Sequence, residues 1–283
     1  MPTKKEMGSN SSPNFFNKHY GIKEIFQKLT PFLFSSQTYL AYGVEPSPTK
    51  FPLDKARYLT QAAYVHEEYL KRNRKIKVLD IGCNEGMMIL YCRKNKIEAD
   101  FYGIDILQEK LDIAMKRGYQ STSLQDVTSL PFSYEDGLFD VVICSHILEH
   151  LEEPGKILEE LNRVMRDGGL LIAAVPIGLL PGILWRQYVT PLYDASKRKS
   201  AVLRRFGHVN FFTLPRLKSL LKRHHFTVEE ARGDFLIRCR KFFLENYKWW
   251  YDFNQWYGKL FPGILGHVNV KARLNLSAKK PAA

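Results

Sequence analysis

From Ile76 onward the chain alternates between two hydrophobic rhythms. IKVLDIG (76–82) is a near-continuous apolar run, the kind that fills a strand buried on both faces. MMILYCRKNK reads as a helix, DFYGIDI as a second strand, and LQEKLDIAMKRGY as a helix closed by Gly118 at a left-handed cap position. A weaker strand covers Tyr119 to Gln125, and LFDVVICS is a clear further one. Ile157, Leu158, Leu161, Val164 and Met165 then recur at helical spacing. They predict a helix opened near Pro154 and closed by Gly168 and Gly169, with LLIAAV as the next strand. This alternation predicts an α/β fold, a doubly wound Rossmann-like sheet with helices on both faces.

Beyond residue 176 the rhythm changes. Residues 177–212 read as an insertion of mixed apolar and basic character. Thr213 opens a helix with Leu214, Leu217, Leu220 and Leu221 on one side, and FTVEEARG and GHVNVKARL read as two more strands. Between these strands, ten of the twenty residues from Phe242 to Phe261 are aromatic. Phe243, Tyr247, Trp250, Tyr257 and Phe261 are expected on one helical face, widened by Trp249, Phe253 and Trp256. The expected plan is a disordered lead-in over 1–20, a helical extension over 21–75 and a core over 76–176. The insertion 177–212 follows, then the last core helix and strand (213–233), a helical aromatic insertion (234–262), a final strand (263–274) and a basic tail (275–283).

Charge adds a polarity to this plan. The net charge is +13, with +6 on residues 1–75, −7 on 76–176 and +14 on 177–283. An acidic core between basic flanks suits an anionic partner (a phosphorylated substrate, a membrane surface or nucleic acid), and it equally serves plain solubility. The four cysteines, Cys83, Cys92, Cys144 and Cys239, include no C-x-x-C pair and read as reduced thiols of a cytosolic-type compartment. MPTKKEMGSNSSPNFF has no apolar stretch, so no secretory signal is expected there and a cytoplasmic location is, with peripheral membrane contact as an alternative. Gly168 to Trp185 is long enough to span a membrane, but its two prolines, four glycines and strand-like start favour a buried strand running into an apolar loop.

The chemistry concentrates at VLDIGCNEG (78–86), a strand that breaks into a glycine turn before a helix. In an open parallel sheet, ligands sit beyond the carboxyl ends of the strands at such a turn. A nicotinamide fingerprint needs G-x-G-x-x-G, and Asn84 and Met87 occupy the second and third glycine positions. S-adenosylmethionine fits the composition better. It is cationic at its sulfonium and amino groups, and Asp80 stands two residues before Gly82. Asp105 ends the second strand, where a carboxylate can accept from both ribose hydroxyls, and Asp126 follows the third, within reach of an adenine amino group. Each acid alone is equally a turn or cap residue; the set is more specific.

VLDIGCNEG, YGIDIL, LQDVTSLPFSYEDGLFDVVICSHILEHL and LNRVMRDGGLLIAAVP together resemble the class I S-adenosylmethionine-dependent methyltransferases, over roughly residues 76–176. GHVNFFTLPRLKSLLKRHHFTVEEA looks like that family's final helix and strand. The resemblance implies a seven-stranded sheet, mostly parallel with an antiparallel last strand. It implies that Asp80, Gly82, Cys83, Asn84 and Gly86 line the methionine end of the cofactor, Asp105 and Ile106 the ribose side, and Asp126 with Val127 the adenine. Ser145 and His146 would lie near the methyl group. The family usually has a glycine where Asn84 stands.

His146, Glu149 and His150 are spaced to share one helical face, and His208 could join them across the cleft. Three uses stay open: a general base at His146 or His208, a divalent metal site on His146, Glu149, His150 and His208, or a Glu–His hydrogen bond that only holds the loop. The metal use comes from the resemblance, since quinone-pathway O-methyltransferases and small-RNA 3′-end methyltransferases use Glu-x-x-Glu-His there; this chain has His146 in place of the first Glu.

The insertion with Lys197, Arg198, Lys199, Arg204 and Arg205 and the aromatic segment point to an apolar or lipid-linked acceptor with negative charge. The expected function is S-adenosylmethionine-dependent methylation, at oxygen, of a small-molecule, lipid or glycan acceptor. Alternatives are an RNA methyltransferase, which lacks any recognisable RNA-binding module, and a catalytically inactive cofactor-binding partner subunit.

Overall fold

The structure, a computed structural model, describes residues 56–178, 209–234, 248–264 and 266–276. The expected lead-in 1–20, most of the extension 21–75, nearly all of the insertion 177–212, the first part of the aromatic segment and the end of the tail lie outside these residues.

Seven strands form one sheet in the order β3-β2-β1-β4-β5-β7-β6. They are β1 (Ile76–Ile81), β2 (Ala99–Asp105), β3 (Ser121–Leu124), β4 (Phe139–Ser145), β5 (Met165–Ile177), β6 (Phe226–Gly233) and β7 (Gly266–Leu274). Strands β1 to β5 run parallel, and β7 lies antiparallel between β5 and β6. The expected α/β, mostly parallel sheet with an antiparallel last strand is therefore present. Strand order reverses between β1 and β4, which opens a crevice at the carboxyl ends of these neighbours.

Both faces of the sheet are covered. Val78, Val141, Ile143, Leu170 and Ile172 point to the face packed by α1 (Ala56–Arg72), α2 (Met87–Lys94) and α3 (Gln108–Lys116). Their neighbours Leu79, Val142, Cys144, Leu171 and Ala173 point to the other face, under α4 (Pro154–Val164) and α5 (Leu214–Arg223). Burial on two sides is why these strands read as unbroken apolar runs, and each large side chain so buried stabilises the fold by roughly 1.5–3 kcal/mol. Thr213 caps α5, its hydroxyl accepting from Arg216 N at 3.3 Å, while Leu217, Leu220 and Leu221 face the core.

One expectation needs correction. Met165 is not helical: α4 ends at Val164, and Met165 starts β5 opposite Phe139, so Gly168 and Gly169 lie within the strand. Pairing with β4 outweighs the helical spacing of one more apolar residue. The aromatic helix α6 (Lys248–Leu260) turns a largely non-aromatic face inward. Its buried stripe is Tyr251, Asn254, Gln255 and Gly258, while Trp250, Phe253, Trp256 and Tyr257 are half-buried and Trp249, Leu260 and Phe261 exposed. Close approach decides this: a Cβ on Gly258 would stand 2.0 Å from the carbonyl oxygen of Gly233, and Gln255 Nε2 donates to the main-chain oxygen of Asp234 at 2.8 Å. No helix among the described residues is long and apolar enough to cross a membrane.

Candidate active site

Parallel register aligns the strand tips. Gly82 N and Cys83 N both donate to Ile104 O, at 2.8 and 3.1 Å, so the turn after β1 is stitched to β2 one residue before Asp105. Asp105 then closes on the same turn, with Oδ2 accepting from Asn84 N at 2.8 Å and Oδ1 from Leu107 N at 3.1 Å. A carboxylate has about four acceptor sites, so these two bonds orient Asp105 and leave capacity for a ligand. Gln125 N donates to Asp105 O, which carries the row on to Asp126. Asp126 Oδ1 accepts from Thr128 N at 2.9 Å and from its hydroxyl at 2.8 Å, an Asx turn that fixes the carboxylate beyond β3. Val127 packs against the core beside it, and Ile106, past Asp105, is exposed.

The turn itself needs left-handed backbone. Gly82 and Gly86 have φ of 67° and 68°, and Asn84 between them has 49°. Asparagine enters this region at lower cost than other residues with a Cβ, which explains how it replaces the family's usual glycine. Its side chain adds a bond, Oδ1 accepting from Glu85 N at 2.8 Å. The Cys83 thiol is turned into the core against Gly103, 5% exposed, where it donates to Asn84 O at 3.6 Å and burial raises its pKa.

Asp80 is buried behind this turn and accepts from Tyr119 OH at 2.7 Å. Burial pushes its pKa up to about 7, with the Tyr119 hydrogen bond and the Arg57 charge pulling the other way and the Asp105 charge adding to the rise. Among the described residues it forms no ion pair, so a carboxylate waits for a cation at the tip of β1. That donor set (glycine turn, uncompensated acid, oriented acids at the next two tips) fits the sulfonium nucleoside the sequence suggested.

Across the crevice the structure departs from expectation. His146, Glu149 and His150 do not share an α-helical face: only Leu148–His150 form a single 3-10 turn, and His146 has φ of 58°. The reversal lets Glu149, almost fully buried, reach back to His146 Nδ1 at 2.9 Å, while His150 Nε2 stands 4.0 Å away. Burial lowers the His146 pKa, while the Glu149 bond opposes this and the His267 charge adds to it. Ser145 Oγ accepts from Gln61 Nε2 at 3.0 Å. Among the described residues no three His, Cys, Asp or Glu side chains are grouped as a metal site, and His208 lies outside them.

The partner that meets His146 is His267 of β7. The two rings stack at 4.4 Å and 17°, and His267 Nδ1 lies 2.6 Å from Asp234 Oδ2. Sequence reasoning missed this pair. The signal was present, since GHVN occurs at both 207–210 and 266–269 and the second copy puts His267 and Asn269 on one face of an expected strand.

A sheet whose switch-point crevice carries this glycine turn and row of acids defines a nucleoside-binding α/β domain of the class I methyltransferase type. The chain belongs to the methyltransferase-domain family, whose model matches residues 54–231. It is 32% identical over 103 residues to a ubiquinone biosynthesis O-methyltransferase of Actinobacillus pleuropneumoniae serotype 7, covering 34% of this chain and 43% of that protein. It is 35% identical over 100 residues to ajmaline N-methyltransferase of Rauvolfia serpentina, covering 34% of each. The chain thus spans less than half the length of these relatives. Among solved structures, an S-adenosylmethionine-dependent methyltransferase from Mesorhizobium loti superposes with a TM-score of 0.51 at 16% identity, over 78% of this chain and all of that one. At that identity the likeness speaks for the fold alone.

Proposed function

We propose that this chain is an S-adenosylmethionine-dependent methyltransferase acting at oxygen on a small molecule. The observation that carries this reading is the convergence of Asp80, Asp105 and Asp126 at three adjacent strand tips around the Gly82–Gly86 turn. S-adenosylmethionine supplies, when bound, a methyl group on a positively charged sulfur. Asp80 neutralises positive charge at the methionine end, Gly82, Asn84 and Gly86 let the backbone approach it, Asp105 accepts from the ribose and Asp126 from the adenine, with Ile106 and Val127 alongside. Ser145 and His146, at the tip of β4, form the wall between cofactor and acceptor. The small-molecule acceptor is supported by the names of the two relatives, one an O- and one an N-methyltransferase. Calorimetric titration with S-adenosylmethionine tests the reading: saturable binding in the micromolar range is expected, and no heat up to millimolar cofactor rejects it.

An anionic or membrane-associated acceptor is the finer form of this proposal. It rests on the +14 charge of residues 177–283 and on the outward Trp249, Leu260 and Phe261 of α6. Co-sedimentation with phosphatidylserine vesicles at low salt is the expected outcome, and absence from the pellet removes it.

A further inference from the structure

The rim formed by the ends of β4, β7 and β6 holds a polar cluster that cofactor binding does not use. At its centre are Asp234, 1% exposed, and His267, 4% exposed. A buried carboxylate costs several kcal/mol unless protein groups replace its water, and here two elements, β7 and α1, supply them. Asp234 Oδ2 faces His267 Nδ1 at 2.6 Å, and Oδ1 accepts from Asn269 Nδ2 at 2.7 Å and from Thr60 Oγ1 of α1 at 3.4 Å. Gln61 Nε2 in turn donates to Asn269 Oδ1 at 2.9 Å.

With the carboxylate accepting from Nδ1–H and the ring neutral, the lone pair sits on Nε2. That nitrogen is buried and has no hydrogen-bond partner among the described residues. Leaving a buried acceptor unpaired costs about 1–3 kcal/mol unless a ligand or water meets it. Base held by orienting acid, with the reactive nitrogen left bare, is the arrangement that proton abstraction requires. The place is right as well: the ring stacks on His146, which keeps 31% of its side chain exposed at the tip of β4.

We propose that His267, oriented by Asp234, is the general base of this site, and that the acceptor presents to it a phenol-type hydroxyl. The proposal rests on the methyltransferase reading above. In the step, the acceptor's O–H bond breaks and its proton passes to Nε2; the oxygen bonds the methyl carbon as that carbon's bond to sulfur breaks. The sulfur leaves as a neutral thioether, and the imidazolium charge is balanced by Asp234. The hydroxyl class follows from acidity, since an imidazole accepts a proton far more readily from a phenol, at a pKa of about 10, than from an aliphatic alcohol. His267 would touch the reacting oxygen, whereas Asp234 is a positioning residue that acts through it.

The test uses the full chain with 15N-labelled histidine, saturating S-adenosylhomocysteine, and catechol as the probe. His267, assigned from the spectrum of His267→Gln, is expected with Nδ1 protonated and Nε2 bare, and the Nε2 signal is expected to move with catechol but not with 1,2-dimethoxybenzene. A protonated Nε2, or a signal that catechol leaves in place, overturns the proposal whether or not catechol is turned over. Transfer of a tritiated methyl group to catechol adds a kinetic arm. There His267→Gln and Asp234→Asn lower kcat by about 100-fold or more, with KM for S-adenosylmethionine within about twofold of the wild type. A His267→Gln protein that binds cofactor normally and keeps wild-type kcat overturns the proposal on its own. Failure of the wild-type chain to bind cofactor instead sinks the methyltransferase reading.

Discussion

The two halves of the carboxyl rim are built by opposite means. At the tips of β2 and β3, each acid is steadied by groups close in the chain or one strand away, Asp105 by Asn84 N and Leu107 N and Asp126 by Thr128, while Asp80 of β1 accepts from Tyr119 just before β3. At the tips of β4, β7 and β6, the polar groups meet across long stretches of chain, Thr60 with Asp234, Gln61 with Asn269, and His146 with His267. The first half is a turn-built cradle that any chain with those turns reproduces. The second depends on helices and strands docking correctly. A common donor nucleoside suits the first construction, and an acceptor that differs among relatives suits the second.

The strongest separation of the halves comes from Asp105→Ala. It removes the ribose acceptor and the clamp on Asn84 N together, and is expected to weaken S-adenosylmethionine binding by about 100-fold in calorimetry, as the loss of two charge-assisted bonds implies. Unchanged affinity would show that the cradle is not where the nucleoside sits.

Gly258→Ala probes the other half. Its Cβ meets backbone at Gly233, which cannot move aside as a side chain can, so a loss of about 2–3 kcal/mol is expected in urea unfolding. The surviving folded fraction should bind cofactor normally. If cofactor affinity falls as steeply as stability, the two halves are one unit.

A third measurement uses pH. The Asp80 carboxyl, raised by burial to about 7, is protonated in the folded chain over a range where the unfolded chain has already ionised. Its contribution to stability is therefore full below about pH 4 and is lost as pH rises through about 7. A cationic ligand favours the ionised form, so cofactor affinity should rise about tenfold from pH 6 to pH 8, with proton release detectable in buffers of different ionisation enthalpy. Asp80→Asn should flatten that profile. A profile that stays equally steep in the variant would assign the titration elsewhere.

The smallest effect is at Asn84. Asn84→Ala places a residue without side-chain compensation at positive φ and removes the bond to Glu85 N, costing about 1 kcal/mol in thermal unfolding, whereas Asn84→Gly should be within about 0.5 kcal/mol of the wild type. Equal stability of the two would mean that the turn relaxes out of the left-handed region.

How far these features could be read in advance follows the same division. Apolar runs such as IKVLDIG and LFDVVICS, the Thr213 cap and the glycine turn announce themselves because their causes are local: side-chain period, capping and backbone freedom. Met165 was misread because sheet pairing outweighs the spacing of apolar residues, and the buried face of α6 was not legible because the Gly233–Gly258 contact that sets it is non-local. The shared face expected of His146, Glu149 and His150, on which a metal site was one of three open uses, assumed an α-helix; the left-handed turn at His146 instead folds Glu149 back onto its ring.

By itself the sequence determined the layered sheet, its glycine turn and the acids at the first three strand tips, since each follows from residues within a few positions of one another. Only the tertiary structure decided that Asp234 and His267, 33 residues apart, form a buried pair, and that His267 lies against His146. An antiparallel strand inserted between β5 and β6 brings those groups to the same rim, and no periodicity along the chain encodes which side chains such an insertion places face to face.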